Sequence, residues 1–227
     1  MITVISLGGS IVAPDRVDEG FLGDFRALID EALRADAGRR FIFVTGGGGP
    51  ARAWQGAYRA VCGGGTDAEA DWIGVMATRL NAQLVRAVFS EWCPDPVVTD
   101  PTGPLSFEGR VLVAAGWKPG FSSDNDAVLL ALRFGADTVI NLSNIAQVYT
   151  ADPRVDPNAR PLSAISWPDF RRLVGSEWAP GKNTPFDPVA SKAASEAGLR
   201  VICAAGKDLP NLRGILEGRP FVGTVIG

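Results

Sequence analysis

Histidine is absent from all 227 residues. That absence removes Ser-His-Asp and Cys-His nucleophile systems and every histidine-ligated metal site. Chemistry here must run on backbone amides, Lys, Arg, carboxylates and an added metal ion. Cysteine is scarce: Cys62, Cys93 and Cys203 show no Cys-x-x-Cys spacing. They argue against a structural zinc or a disulfide framework and are expected as small buried hydrophobes in a reducing compartment. No apolar stretch approaches the ~18 residues a membrane span needs. No basic segment precedes the first apolar run, so no signal peptide is expected and the cytoplasm is the expected compartment. Positive charge is not in excess, since 22 Lys and Arg stand against 25 Asp and Glu. Nucleic acid and anionic membranes are therefore poor partners. Internal repeats, low-complexity tracts and linkers are missing too, so residues 1–227 are expected to form one domain with a substantial core.

What is present is a recurring unit. Residues 2–7 and 40–45 are short apolar runs rich in β-branched and aromatic residues, as in parallel strands covered on both faces. Each runs straight into a small-residue loop, Gly8-Gly9-Ser10 and Gly46-Gly-Gly-Gly49. Between them Phe21, Leu22, Phe25, Leu28, Ile29 and Leu33 recur at helical spacing, giving a strand–helix–strand crossover. Further helices are predicted at about 51–61, 68–89 and 126–134, from Pro168, and over 187–197 and 208–217. Further strands are predicted at 97–99, 111–113, 138–142, 200–204 and 222–226, with Val148-Tyr149 in a hairpin. The alternation predicts a three-layer α/β/α sandwich with a largely parallel central sheet.

Two strand-to-glycine-loop units within ~50 residues give two places where backbone N–H groups can face an anion. Neither loop is a Walker motif or a dinucleotide Gly-x-Gly-x-x-Gly. Gly46 to Gly49 precede a helix whose first turn holds Pro50, and four glycines are costly in chain entropy unless a ligand or backbone must approach closely. Arg52 is either an exposed surface arginine or a bidentate phosphate contact. Asp71 either favours a helix dipole or accepts from ligand hydroxyls. Ser122, Ser123, Asp124 and Asn125 are all good N-cap residues, yet so many hydrogen-bonding side chains at a strand's carboxyl end also suit a ligand site. The polar loop Ser143–Asp152, with one aromatic at Tyr149, suits an adenine and a ribose. Lys192 is either a solvated lysine or a neutraliser of phosphoryl charge.

Taken in order, several segments resemble the amino acid kinase superfamily over essentially the whole chain. They are Gly8-Gly-Ser10, Gly46-Gly-Gly48 with Ala51-Arg52, and Asp71-Trp-Ile-Gly74 with Thr78-Arg-Leu-Asn-Ala82. Pro119-Gly-Phe-Ser-Ser-Asp124, Val148-Tyr-Thr-Ala-Asp-Pro153 and Asp187-Pro-Val-Ala-Ser-Lys192 complete the set. Within that superfamily the chain looks most like uridylate kinases of the archaeal type. The resemblance implies an amino acid kinase-like fold, with an acceptor-binding part over about 1–135 and an ATP-binding part over about 136–227. It implies ATP-dependent phosphorylation of UMP to UDP in pyrimidine nucleotide biosynthesis, assisted by Mg²⁺, in a homohexamer.

Carried over by position, Gly8, Gly9, Ser10, Gly48 and Arg52 would meet the ATP phosphates, and Ser143, Asn144, Tyr149 and Asp152 the nucleoside of ATP. Gly47, Asp71 and the loop Trp117, Lys118, Pro119, Gly120, Phe121, Ser122 and Ser123 would meet UMP. Asp126, Lys192 and Arg52 would act on the transferred group, with Asp124 competing with Asp126 for the acidic role. No side chain is assigned as a metal ligand. The chain departs from the family pattern at Ser6, where many members carry lysine, and at Phe121-Ser-Ser-Asp124 with the added Asn125-Asp126. It also departs at Ala146-Gln147 and in a segment holding Trp178, Pro180, Gly181 and Lys182. Two other readings stay open: a kinase of this fold acting on another small phosphate, phosphonate or carboxylate, and a non-catalytic nucleotide-binding or oxyanion-storage relative.

Overall fold

The computed structural model describes residues 1–175 and 184–227, so the segment holding Trp178, Pro180, Gly181 and Lys182 lies outside the described residues. Strands β1 (Ile2–Leu7), β2 (Arg40–Thr45), β3 (Val111–Ala114), β4 (Thr138–Ser143) and β8 (Arg200–Ala205) join β9 (Thr224–Ile226) and β7 (Ala164–Ile165) in one sheet. Its order is β3-β2-β1-β4-β8-β9-β7. The pairs from β3 to β8 are parallel, and β9 turns antiparallel to β8. A separate two-stranded ribbon pairs β5 (Val148–Tyr149) with β6 (Pro161–Leu162).

Because side chains alternate across a strand, successive apolar residues supply two cores. Val4, Ile42, Val44, Leu112 and Val139 face α5 (Ser123–Phe134), α6 (Trp167–Val174) and α7 (Pro188–Glu196). Ile5, Leu7, Phe41, Phe43 and Leu142 face α2 (Glu19–Ala35), α4 (Asp67–Val88) and α8 (Leu209–Leu216). The result is the expected three-layer sandwich. Phe43 meets Phe25 at 5.3 Å and Phe89 at 5.1 Å between ring centroids, contacts worth ~0.5–1.5 kcal/mol each beyond their area. They anchor β2, and with it the second glycine loop, against α2 and the end of α4. Among the described residues no helix is long and apolar enough to cross a membrane.

Several local expectations are corrected. The predicted strand at 97–99 shrinks to a single bridge between Val98 and Ala114. Pro96 and Pro101 flank it and can donate nothing to a ladder. A short helix α1 (Gly9–Val12) follows β1 directly, and α3 (Gly48–Val61) begins inside the glycine run rather than at residue 51. Helix α5 starts at Ser123, not 126, because the Ser122 hydroxyl accepts from Asn125 N. Cys62 is exposed, while Cys93 and Cys203 are buried as expected, and all three are free.

Candidate active site

All five parallel strands from β3 to β8 deliver their carboxyl ends to one edge. Chain order runs outward from β1 through β2 to β3 on one side and through β4 to β8 on the other. The boundary between β1 and β4 is thus a topological switch point, the place where open α/β sheets bind ligands. The first glycine loop lies at this boundary, and the second, after β2, lies beside it across β1. Gly8 N donates to Leu142 O across it at 2.9 Å.

The two loops touch through their backbones. A Cβ on Gly9 would lie 2.0 Å from Gly48 N and 2.6 Å from Gly48 Cα, and one on Gly46 would lie 2.5 Å from Gly9 N. Gly48 has a φ of 64°, a conformation side chains disfavour, and Gly49 N donates to Ala13 O at 2.8 Å. Glycine is required here because backbone packs directly on backbone.

Helix α4 braces the second loop. Buried Asn81 donates through Nδ2 to Gly46 O at 2.8 Å and Gly47 O at 3.2 Å. Thr45 Oγ1 donates to Thr78 O at 3.0 Å, and Thr78 Oγ1 accepts from Gly116 N at 2.8 Å. A single helix thereby ties the loop after β2 to the loop after β3. Asn81 carried a readable signal, since it shares a helix face with Ala70 and Ala77, and a polar side chain at a core position needs partners.

The Trp117–Ser123 residues sit together after β3. Arg79 donates to Trp117 O at 3.0 Å, and Gly120 N donates to Asp71 Oδ2 at 3.2 Å. The rings of Trp117 and Phe121 lie 4.9 Å apart, and the Lys118 ammonium lies 3.8 Å from the Trp117 ring centre. On the far side of the glycine loops, Asn144, Tyr149 and Asp152 line a cavity of about 560 Å³ with Gln147, Leu173 and Pro185, a size common for small-molecule sites. Ser143 closes β4 at its mouth, its hydroxyl accepting from Ile145 N at 3.2 Å. Asp152 is held below the usual carboxylate range by Arg154, which it pairs with at 2.8 Å.

Three side chains, buried Ser6 and Asp187 and half-buried Asp124, gather beneath the switch point, on the α5 face of the sheet. Ser6 Oγ donates to Asp124 Oδ1 at 3.1 Å, and Asp187 N donates to Asp124 Oδ2 at 3.2 Å. Burial, with Asp187 close by, pushes Asp124 up to about 6. Asp187 itself caps α7 through Ala190 N at 2.7 Å, and burial raises it as well. Their sequence separations are 118 and 63 residues, so nothing local announced them.

Three of the anticipated catalytic side chains stand differently. Asp126 is fully buried and accepts from Trp117 N at 3.1 Å, while Asp124 is the carboxylate in contact with β1. Arg52 donates to Pro14 O at 2.7 Å and ties α3 to the segment that follows α1. Lys192 points outward, with a side chain 63% exposed and Glu196 at 3.9 Å.

Comparison with known proteins follows the same lines. The model of the amino acid kinase family matches residues 1–205. The uridylate kinase of Methanospirillum hungatei is 35% identical over 226 residues, covering 98% of this chain and 93% of its own. That of Thermoplasma volcanium is 34% identical over 225 residues, covering 98% and 96%. The crystal structure of the uridylate kinase from Archaeoglobus fulgidus covers both chains fully, with a TM-score of 0.84 at 30% identity.

Proposed function

Because the chain belongs to the amino acid kinase family, we propose that it transfers the terminal phosphoryl group of ATP to UMP, giving UDP and ADP. The observation that carries this reading is the backbone contact between the two glycine loops, with a nucleoside-sized cavity on one flank and the Trp117–Ser123 loop on the other. From β3 to β4 is three strand spacings, ~14 Å. That span suits a triphosphate laid end to end with a monophosphate. In this reading the acceptor side belongs to residues 1–135 and the nucleoside of ATP to residues 136–227.

Transfer is direct and in line. A phosphate monoester loses its second proton near pH 6, so the UMP oxygen is already a nucleophile at neutral pH and no general base is needed. A chain without histidine is adequate for that chemistry. Catalysis then consists of alignment and charge stabilisation. Gly9, Ser10 and Gly48 offer backbone to the ATP phosphates, Gly8 shapes the turn with its N–H held by Leu142 O, and the N-terminus of the 14-residue α3 adds its dipole. Gly47, Asp71 and the Trp117–Ser123 loop receive UMP. We assign the organising role to Asp124 rather than Asp126, since Asp124 touches Ser6 at the end of β1. Arg52 ties α3, which opens in the second glycine loop, to the segment after α1. Lys192, paired among the described residues only with Glu196 at 3.9 Å, is proposed to swing from it to the transferred group.

Magnesium enters with ATP. Magnesium prefers phosphate oxygens, waters and one or two carboxylates over an all-protein cage. Asp124 and Asp187 are the carboxylates available at the switch point. Bound there, the ion would neutralise charge on the β- and γ-oxygens.

The exposed apolar side chains Trp54 and Val61 on α3 and Trp72, Met76 and Leu80 on α4 support assembly into a homo-oligomer, proposed as a hexamer. The cytoplasm, where ATP is drawn, is the proposed compartment. A coupled assay for ADP with UMP, the other nucleoside monophosphates and small phosphates, phosphonates and carboxylates as acceptors tests the reading. UMP should exceed every other acceptor in kcat/KM; equal silence with all of them rejects it.

A further inference from the structure

We infer that Asp126 is a positioning residue for the acceptor loop: its carboxyl group, buried under that loop, holds the Trp117 N–H and sets where Trp117–Ser123 meets the acceptor without touching either substrate. The inference rests on the proposed function, which makes this loop the acceptor side.

The loop leaves the sheet after Ala114, and besides side-chain hydrogen bonds from Trp117 to Asp100 and from Ser122 to Asp187 four hydrogen bonds tie it to α4 and α5. Three pins come from α4: Thr78 Oγ1 accepts from Gly116 N at 2.8 Å, Arg79 donates to Trp117 O at 3.0 Å, and Asp71 accepts from Gly120 N at 3.2 Å. The fourth comes from α5, packed on the opposite face of the sheet, where Asp126 Oδ2 accepts from Trp117 N at 3.1 Å. The loop enters this helix, which also carries Asp124, at Ser123, and the Asp126 pin ties the loop's far end at Trp117 back to it. Removing it would leave the Trp117 end of the loop without its backbone tie to α5.

The arrangement is costly, which argues that it is there for a reason. Asp126 is fully buried, and its Oδ1 has no partner among the described residues, nor has the neighbouring Asn125 amide nitrogen. A buried polar atom left unpaired costs free energy that a plain apolar residue would not. The titratable groups that face Asp126 are acidic as well, Asp124 on its own helix and Asp100 in the turn after Thr99, so a charge here gains nothing from its neighbours, while the Trp117 N–H needs an acceptor. An acceptor at this point is what the loop needs; a charge is not.

Substitutions separate the two. Asp126→Asn keeps the acceptor and drops the charge, and it should leave the KM for UMP, the KM for ATP and kcat within ~2-fold of wild type. Asp126→Ala removes the acceptor and should raise the KM and calorimetric Kd for UMP ~10-fold, the effect of one lost hydrogen bond, with the KM for ATP unchanged. Should the alanine variant not fold, Asp126→Leu, close in volume and lacking an acceptor, carries the same expectation. A collapse of kcat in Asp126→Asn would make the carboxylate catalytic and overturn the inference. Unchanged UMP affinity in the alanine or leucine variant, or equal losses for ATP and UMP, would overturn it as well. A wild-type protein that neither binds nor phosphorylates UMP would instead refute the proposed function, and this inference with it.

Discussion

Replacing Gly9 by alanine puts one methyl group into the contact on which the phosphate site rests. The new Cβ would lie 2.0 Å from Gly48 N, against about 3.4 Å for ordinary contact. The two loops must therefore part by about 1.4 Å, and both neighbours are backbone, so no side chain can rotate away. Overpacking of this kind costs ~1–3 kcal/mol, which for a chain of this size lowers Tm by roughly 3–10 °C. The larger effect falls on rate, because a misplacement of ~1 Å at the reacting groups can cost ~10²-fold. Gly23→Ala is the matched control: it lies in α2, nothing stands within 4 Å of its Cβ, and helix propensity favours alanine there by up to ~1 kcal/mol. We expect kcat in the ADP-coupled assay to fall ~10²-fold in Gly9→Ala and to be unchanged in Gly23→Ala. A Gly9→Ala enzyme with kcat within ~3-fold of wild type and an unchanged Tm would refute the reasoning.

Other predictions follow from the same geometry. Burial holds the Asp126 proton up to about pH 7 in the folded chain, whereas an unfolded chain releases it near pH 4. The stability that proton contributes is complete below ~pH 4 and is lost as pH rises to ~7. Asp126→Asn cannot lose it, so its Tm relative to wild type should climb between pH 4 and pH 8, by on the order of 1–4 kcal/mol in stability; a pH-independent difference contradicts this. Lys192→Ala should lower kcat at least ~10-fold by removing a charge from the transferred group, while Glu196→Gln leaves it unchanged; equal kcat in wild type and Lys192→Ala would return Lys192 to the surface. Leu80→Glu places a charge in the exposed apolar stripe of α4 and should reduce the oligomer's mass by light scattering while the protomer stays folded. An unaltered mass would move the interface elsewhere.

The strands and their layers were legible because their causes are local. Residues 2–7 and 40–45 alternate between two cores, and a continuous apolar run can mean only burial on both faces. The glycine loops were legible for the same reason, since four glycines in a row need an explanation that packing later supplied. The start of α5 was not, because Ser122, Ser123, Asp124 and Asn125 are equivalent as caps until tertiary packing chooses Ser122. That choice decides which carboxylate meets β1, so the roles of Asp124 and Asp126 could not be assigned from the sequence. Nor could the Ser6–Asp124–Asp187 contact, which three distant segments build. The strand expected at 97–99 failed for lack of a second neighbour at the sheet's edge, where prolines on either side prevent a ladder.

The central claim is that the two glycine loops hold donor and acceptor phosphates end to end in one continuous site. Calorimetry with adenosine and uridine joined through a pentaphosphate bridge tests it most directly. One site with both nucleotides bound in line predicts one equivalent per protomer, displaced by ATP and by UMP alike, and affinity at least ~10²-fold above either nucleotide alone. Affinity no better than that of ATP, with UMP unable to compete, would place the two phosphates in separate clefts and contradict the account.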